Sequence, residues 1–118
     1  KAFEQAAGKT DDGRIYFRMA QVSADLTNWE EAEDYARRAI ERGGFDSLGR
    51  AHIVQGLALF NQDRLSEALS AFASAREFED TQNVANQWHE YVSREKKRRQ
   101  ELEASLDRAD EAGNEQVM

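Results

Sequence analysis

The residues that could do chemistry in this chain are two histidines and several groups of charged side chains. The chain has 118 residues and no cysteine, which excludes a disulfide, a thiolate nucleophile and a cysteine-ligated metal. His52 and His89 have no further ligand at a metal-like spacing, and zinc needs three or four. The carboxylates of Glu30 and Glu31 suit acid–base work, but 23 acidic residues make such neighbours common on helical surfaces. We therefore expect a protein that is not an enzyme and holds no metal or cofactor.

The densest positive charge is the run at residues 96–99. Four consecutive residues point around a whole helical turn and form no single basic stripe, and Glu95 and Glu101 are placed to pair with them. The net charge of −7 argues against a nucleic-acid surface, where basic residues supply most of the affinity. No apolar run approaches the ~20 residues that cross a bilayer. We expect a solvated helix, no nucleic-acid partner and no direct membrane insertion, with a contact to an anionic membrane or nucleic acid as the minor alternative.

The elements that carry these residues are indicated by a repeated pattern. Leu65, Ala68, Leu69, Phe72 and Ala75 have the i, i+3, i+4, i+7 spacing of an amphipathic helix. Much of the pattern recurs after a shift of 36 residues, and a fixed period of this size indicates stacked helical units. The matched pairs are His52 with Tyr16, Gly56 with Ala20, Leu65 with Trp29, Ala68 with Ala32, Phe72 with Ala36 and Ala75 with Ala39, and in the other direction His52 with Trp88 and Gln55 with Tyr91.

Five helices follow from this pattern and from its capping signals. Asn28 and Glu31 form a candidate capping box at the start of the second helix, and Gly43 ends it. Gly56 lies inside the third helix, where glycine costs roughly 1 kcal/mol against alanine. A neighbouring helix that approaches very closely would explain its presence. The expected helices cover about 12–26, 29–42, 47–61 and 65–78, and a longer one begins near 81.

The order aromatic, small residue, turn, bulky apolar residue, alanine, aromatic, alanine resembles the tetratricopeptide repeat (TPR). The family repeat has 34 residues, so each turn here carries two extra, most simply at residues 43–46, and the proline that commonly closes a repeat is missing. The resemblance covers residues 13–91 and implies an all-α solenoid of helical hairpins, with about five helices, two full repeats and a C-terminal capping helix. The second unit matches best, at His52, Gly56, Leu59, Leu65, Ala68, Phe72 and Ala75, and the first matches less fully, at Tyr16, Ala20, Trp29, Ala32, Ala36 and Ala39.

The chain divides into repeats and two ends. Phe3 and Ala6 have the spacing of Phe72 and Ala75, which favours the end of a truncated preceding repeat over a frayed tail. The acidic, polar C-terminal residues are typical of disorder. The expected divisions are 1–9 for the preceding repeat, 13–46 and 49–80 for the two TPR-like repeats, 81–106 for the capping helix and 107–118 for a disordered tail.

The resemblance also implies a concave face, lined by the first helix of each repeat, that contacts an extended or helical peptide. An apolar strip of Phe17, Ile53, Val54 and Leu57 is not needed for the core of a repeat, and exposed apolar surface with a polar border marks binding sites. Arginines beside it can hold a carboxylate by charge-assisted hydrogen bonds. The transferred positions are Arg14, Phe17, Arg18, Gln21 and Asp25, then Arg50, Ile53, Val54, Leu57 and Asn61, and finally Asn86, His89, Glu90 and Ser93.

We therefore expect a protein-interaction scaffold or adaptor whose groove binds a partner peptide or helix with apolar anchors and some negative charge. Phe17, Gln21 and Val54 stand where chaperone-clamping repeats carry lysine and asparagine, so clamp chemistry is not expected. Two alternatives remain. The same surface can mediate self-association in a homodimer, which light scattering across concentrations would reveal, or another part of a longer chain can cover it.

A second, narrower resemblance concerns the compartment. The segments ERGGFDSLGRAHIVQGLALF and NQWHEYVSRE look like bacterial TPR proteins of the cell envelope. This resemblance implies a bacterial protein and favours the periplasm over the cytoplasm. A signal peptide in the full-length gene would decide between the two compartments.

Overall fold

The computed structural model describes residues 12–117, and the side chains of residues 12–113. This part of the chain is entirely helical, without a strand, which confirms the all-α class. The observed bounds agree with the expected ones to within two residues, except that the fourth helix ends three residues earlier and the last one extends beyond its expected end. The expected end of a preceding repeat, residues 1–9, lies outside the described residues. The helices are α1 (Arg14–Asp25), α2 (Trp29–Arg42), α3 (Leu48–Asn61), α4 (Leu65–Ala75) and α5 (Gln82–Val117).

Each helix packs against the next one in the chain. The pairs α1–α2, α2–α3, α3–α4 and α4–α5 are all in contact, and α1 also meets α3. Short connections at residues 26–28 and 62–64 make the joined helices antiparallel. The resulting shape measures 68 × 32 × 20 Å, with a radius of gyration of 18.7 Å. A compact domain of this length would have about 13 Å, so the helices form an elongated layer.

The hairpins α1–α2 and α3–α4 share the same turn geometry, 36 residues apart. Thr27 and Asp63 each adopt a left-handed backbone conformation, with φ of 58° and 61°, and this is uncommon for residues other than glycine. The two hairpins are therefore structural copies at the period that the sequence shows. The matching hydrogen bonds run from Asn28 N to Ser23 O at 2.8 Å and from Arg64 N to Leu59 O at 3.0 Å.

The core is built from the recurring small residues and a few large ones. Ala20, Ala68 and Ala75 are fully buried, as their spacing predicts. Phe72 and Val92 are the largest fully buried side chains of the described residues. Small side chains bring the backbones together, so the large ones fill the remaining space between α3, α4 and α5.

Gly56 is explained by the side chain that lies against it. A Cβ atom at this position would lie 2.6 Å from Cε1 of Phe72. The close neighbour is thus the ring of a residue on α4 and not the backbone of another helix. In the first hairpin the equivalent positions hold Ala20 and Ala36. The second hairpin therefore exchanges a pair of alanines for a glycine and a phenylalanine.

The last helix is longer than expected. It runs unbroken from Gln82 to Val117, 36 residues, or about 54 Å at 1.5 Å per residue. The expected disordered tail over 107–118 is therefore wrong through Val117. Its alanine and glutamate residues favour a helix even where nothing packs against it. Every residue from 100 to 113 is exposed.

Ion pairs hold the basic run of α5 in place. Glu95 accepts hydrogen bonds from both Arg98 and Arg99, and these bonds lower the pKa of its carboxyl group to about 2. Arg99 also reaches Asp63 in the turn after α3, at 2.9 Å. The expected pairing of the basic run with nearby carboxylates is confirmed for these two arginines.

Candidate partner-binding cleft

A cleft of about 800 Å³ opens between α1, the start of α2 and α3. We call it the α1 cleft. Its floor is mostly apolar and charged side chains stand at its rim. Its main lining residues are Arg18, Met19, Gln21, Val22, Asp25 and Leu26 of α1, Glu31 and Tyr35 of α2, and Val54 and Leu57 of α3.

Five of the site residues expected from the sequence lie together in this cleft. They are Arg18, Gln21, Asp25, Val54 and Leu57. Val54 and Leu57 are half-buried, because one side of each packs on the core while the other faces the cleft. The structure thus gathers part of the predicted groove residues at one place.

Phe17 is not available to a partner, and the expectation that it lies on an exposed strip is wrong. It is only 7% exposed. Its ring packs against that of Phe45, with centroids 5.7 Å apart, and Ala39 and Ala51 complete the cluster. The connection between α2 and α3 folds Phe45 back over α1, and this long-range contact has no counterpart in the repeat pattern.

The other eight expected residues lie outside the α1 cleft. Arg14 and Arg50 are exposed at the starts of their helices, and Arg14 pairs with Asp12 at 3.4 Å. Asn61 donates its side-chain amide to the Leu57 carbonyl at 2.8 Å. Ile53 is half-buried and packs on the core. The last four expected residues lie on α5 and are Asn86, His89, Glu90 and Ser93.

The cleft also contains apolar residues that the sequence comparison missed. Val22 is 57% exposed and Leu26 is 64% exposed, and the half-buried Met19 and Tyr35 lie beside them. The transfer of family positions selects residues on the concave side only, whereas these lie on the flank of α1. The i, i+3, i+7 spacing of Met19, Val22 and Leu26 is the signal that could have found them.

The rim of the α1 cleft carries charges without ion-pair partners. Arg18, Asp25 and Glu31 are exposed, and none of them makes an ion pair within the described residues. Arg37 and Arg64, by contrast, each bind carboxylates of nearby residues. The rim therefore has charge left for an external partner.

A second patch of apolar surface lies between α3 and α5. Phe60 packs against Trp88 and Tyr91, with ring centroids 6.2 and 5.8 Å apart. Tyr91 remains 45% exposed. These rings pack against one another. The α1 cleft combines a concave shape with more exposed apolar side chains, so it is the stronger candidate site.

His52 lies half-buried on α3. Its ring stacks on Phe78, with centroids 5.9 Å apart. Burial lowers the pKa of His52, and a hydrogen bond with Gln55 opposes this effect. Its Nδ1 atom is buried without a hydrogen-bond partner in the described part of the chain. Neutral imidazole is the favoured form.

The charged groups near His52 leave this preference unchanged. Glu33, Arg37, Arg64 and Glu67 line the same hollow. They pair with one another, with Glu33 3.7 Å from Arg37 and Glu67 2.6 Å from Arg64. Their opposite charges largely cancel, and burial has the largest effect on the histidine pKa.

Stability is expected to fall as the pH drops below about 6.5, the ordinary histidine pKa. Because the pKa of His52 is lower in the folded chain, the unfolded chain takes up the proton first. The contribution of His52 to stability is therefore fully present above its pKa in the unfolded chain. It is lost as the pH falls toward its lower pKa in the folded chain. His52→Tyr, which introduces the residue type found at the equivalent position Tyr16, should reduce this loss. The loss is measured as the difference between the free energies of unfolding in urea at about pH 7.5 and about pH 5.

A matched variant is needed because His89 contributes in the same direction. Burial lowers the pKa of His89, and the positive charge of Arg76 lowers it further. His89→Gln isolates this second contribution. If His52→Tyr shows the same pH dependence as the wild type, His52 does not couple protonation to folding.

Neither a metal-ion site nor a membrane-spanning helix occurs among the described residues. No group of three or more histidine, cysteine, aspartate or glutamate side chains is arranged there to hold a metal ion. None of the described helices is long and apolar enough to span a membrane. Comparisons with protein-family models, curated proteins and solved structures found no match to the chain.

Proposed function

We propose that the chain is part of a TPR-type solenoid that binds a partner protein through the α1 cleft. The hairpins α1–α2 and α3–α4 serve as two full repeats, and α5 serves as the capping helix. This assignment is supported by the 36-residue period of both sequence and turn geometry, and by the buried alanines at Ala20, Ala68 and Ala75. Helical repeats of this kind present extended surfaces to partners.

The observation that carries the binding function is the exposed apolar surface of the α1 cleft. Val22 and Leu26 leave more than half of their surface in water, beside Val54 and Leu57. Apolar surface bordered by polar groups marks interaction sites in soluble proteins. A peptide or helix with apolar anchors would remove this surface from water. The chain acts in this proposal as a binding scaffold and performs no catalysis.

Replacing two apolar residues of the α1 cleft by aspartate is expected to weaken partner binding at least tenfold. Val22→Asp/Leu26→Asp removes two apolar contacts, each worth about 1.5–3 kcal/mol when buried, and about 1.4 kcal/mol is a factor of ten. Affinity capture from the source cell, with mass spectrometry, would identify proteins that the wild type retains and the variant loses. Fluorescence anisotropy with the identified partner would then give the ratio of dissociation constants.

The matched control is Leu102→Asp/Leu106→Asp on α5. These leucines are 51% and 57% exposed, so the control makes the same chemical change on a surface of similar exposure outside the cleft. Neither variant should alter the helical circular dichroism spectrum, because all four side chains are largely in water. Partner recovery by Val22→Asp/Leu26→Asp equal to that of the wild type would exclude the α1 cleft as the binding site.

Self-association is a second candidate function, favoured by the exposed part of α5. Leu102 and Leu106 lie one helical turn apart on a stretch, residues 100–113, in which every residue is exposed. Two copies could pair along this stripe. Light scattering at increasing protein concentration tests this candidate. The wild type should dimerise, whereas Leu102→Asp/Leu106→Asp should remain monomeric.

A further inference from the structure

We propose that the α1 cleft selects an amphipathic helix carrying one acidic and one basic residue, two turns apart, on either side of its apolar anchors. This inference rests on the proposed binding function and specifies the partner. It extends the expectation from the sequence, which included only negative charge on the partner.

The charged residues of the α1 cleft lie at its two ends. Arg18 and Asp25 are seven residues apart on α1, which places them on one face and about 10 Å apart along the axis. Glu31 lies in the first turn of α2, which begins shortly after α1 ends. Glu31 therefore stands at the same end of the cleft as Asp25. The cleft has a positive end and a negative end.

The helix dipoles do not alter this polarity. The negative C-terminal end of α1 and the positive N-terminal end of α2 meet beside Asp25 and Glu31. Their partial charges have opposite signs and are close together, so they largely offset each other. The side chains set the sign at this end, and Arg18 sets it at the other.

An apolar floor lies between these charged ends. Met19, Val22 and Leu26 form a ridge with i, i+3, i+7 spacing along α1. Val54 and Leu57 of the neighbouring α3 form the other side of the cleft. Helices pack by placing the side-chain ridge of one in the groove of another. A groove between two helices therefore fits the apolar face of a third.

A partner helix needs charges that match the two ends of the cleft. Seven residues of a helix rise about 10 Å, the separation of Arg18 from Asp25. A carboxylate at one end of the partner's apolar face meets Arg18, and an ammonium group at the other meets Asp25 and Glu31. A partner with two charges of the same sign places one of them beside a like charge, which weakens binding.

The test uses three synthetic helical peptides that differ only in the two charged positions, seven residues apart, around the same leucines. One carries glutamate and lysine, one two glutamates and one two lysines. The wild type should bind the mixed peptide about tenfold more tightly than either of the others in fluorescence anisotropy, since each exposed pair contributes modestly. This preference should shrink as salt is added.

Two charge variants should redirect the selection. Asp25→Lys/Glu31→Lys makes both ends of the cleft positive and should prefer the peptide with two glutamates. Arg18→Glu makes both ends negative and should prefer the peptide with two lysines. These three side chains are exposed and unpaired within the described residues, so the fold should tolerate the changes.

The possible results separate this proposal from the proposed function. Equal binding of all three peptides, lost in Val22→Asp/Leu26→Asp, would overturn the charge selection and leave the cleft as a binding site. Binding that persists in Val22→Asp/Leu26→Asp would overturn both. If no peptide binds, the selection of an amphipathic helix is overturned, and the capture experiment still decides whether the cleft binds another partner.

Discussion

Phe72→Ala is expected to lower the free energy of unfolding by about 3–5 kcal/mol, the usual cost of removing a fully buried aromatic ring. Phe72 has no exposed surface, and its ring stacks on that of Trp88 with centroids 5.8 Å apart. The ring also lies directly against Gly56. Because glycine has no side chain, it cannot fill the cavity that removal of the ring would leave. The cost should therefore lie near the top of this range.

Chemical denaturation followed by circular dichroism measures this loss, and Tyr91→Ala is the matched control. Tyr91 belongs to the same aromatic group but is 45% exposed, so its replacement should cost much less. Small domains have about 5–15 kcal/mol of stability in total, and the variant can therefore be partly unfolded at room temperature. A loss of less than about 1.5 kcal/mol would show that Phe72 does not anchor the contact between α3, α4 and α5.

Gly56→Val is expected to destabilise the chain by about 2–3 kcal/mol through overpacking. The added Cβ would lie 2.6 Å from the Phe72 ring, and the two methyl groups would need still more room. The ring cannot swing aside because it is enclosed on every face and stacked on Trp88. Helix propensity alone predicts a small gain in stability for this substitution, so the packing contact decides the sign.

Two further variants isolate the contact. Gly113→Val makes the same change in α5, where a Cβ would meet nothing within 4 Å, and should change stability by less than about 0.5 kcal/mol. Gly56→Val should also cost less when Phe72 is already leucine, since residues in contact are not additive. Equal costs in both backgrounds would assign the penalty to the backbone of α3.

The helices could be predicted from the sequence because their signals are local. The spacing of Leu65, Ala68 and Phe72 sets the buried face of α4. The expected capping box is wrong, because Asn28 does precede α2 but its side chain makes no capping hydrogen bond. For the end of α5 the polar composition predicts disorder, whereas the structure has a helix there. Alanine and glutamate favour a helix as well as solvation, and composition alone cannot separate the two outcomes.

The site was only partly predictable, since exposure depends on contacts far apart in the sequence. Phe17 is covered by Phe45, 28 residues later, through a connection that the family pattern does not specify. Val22 and Leu26 were left out because their exposure depends on what packs beside the flank of α1. Arg18 and Leu57 were found because their positions follow from the repeat itself.

The exposed half of α5 has a hydrodynamic consequence. Residues 100–113 project as a straight rod of about 20 Å from a body only 32 × 20 Å in cross-section. Such a particle rotates faster about its long axis than end over end. Nitrogen-15 relaxation rates should therefore depend on the direction of each N–H bond, and amides along α5 should report the slowest rotation of the whole molecule.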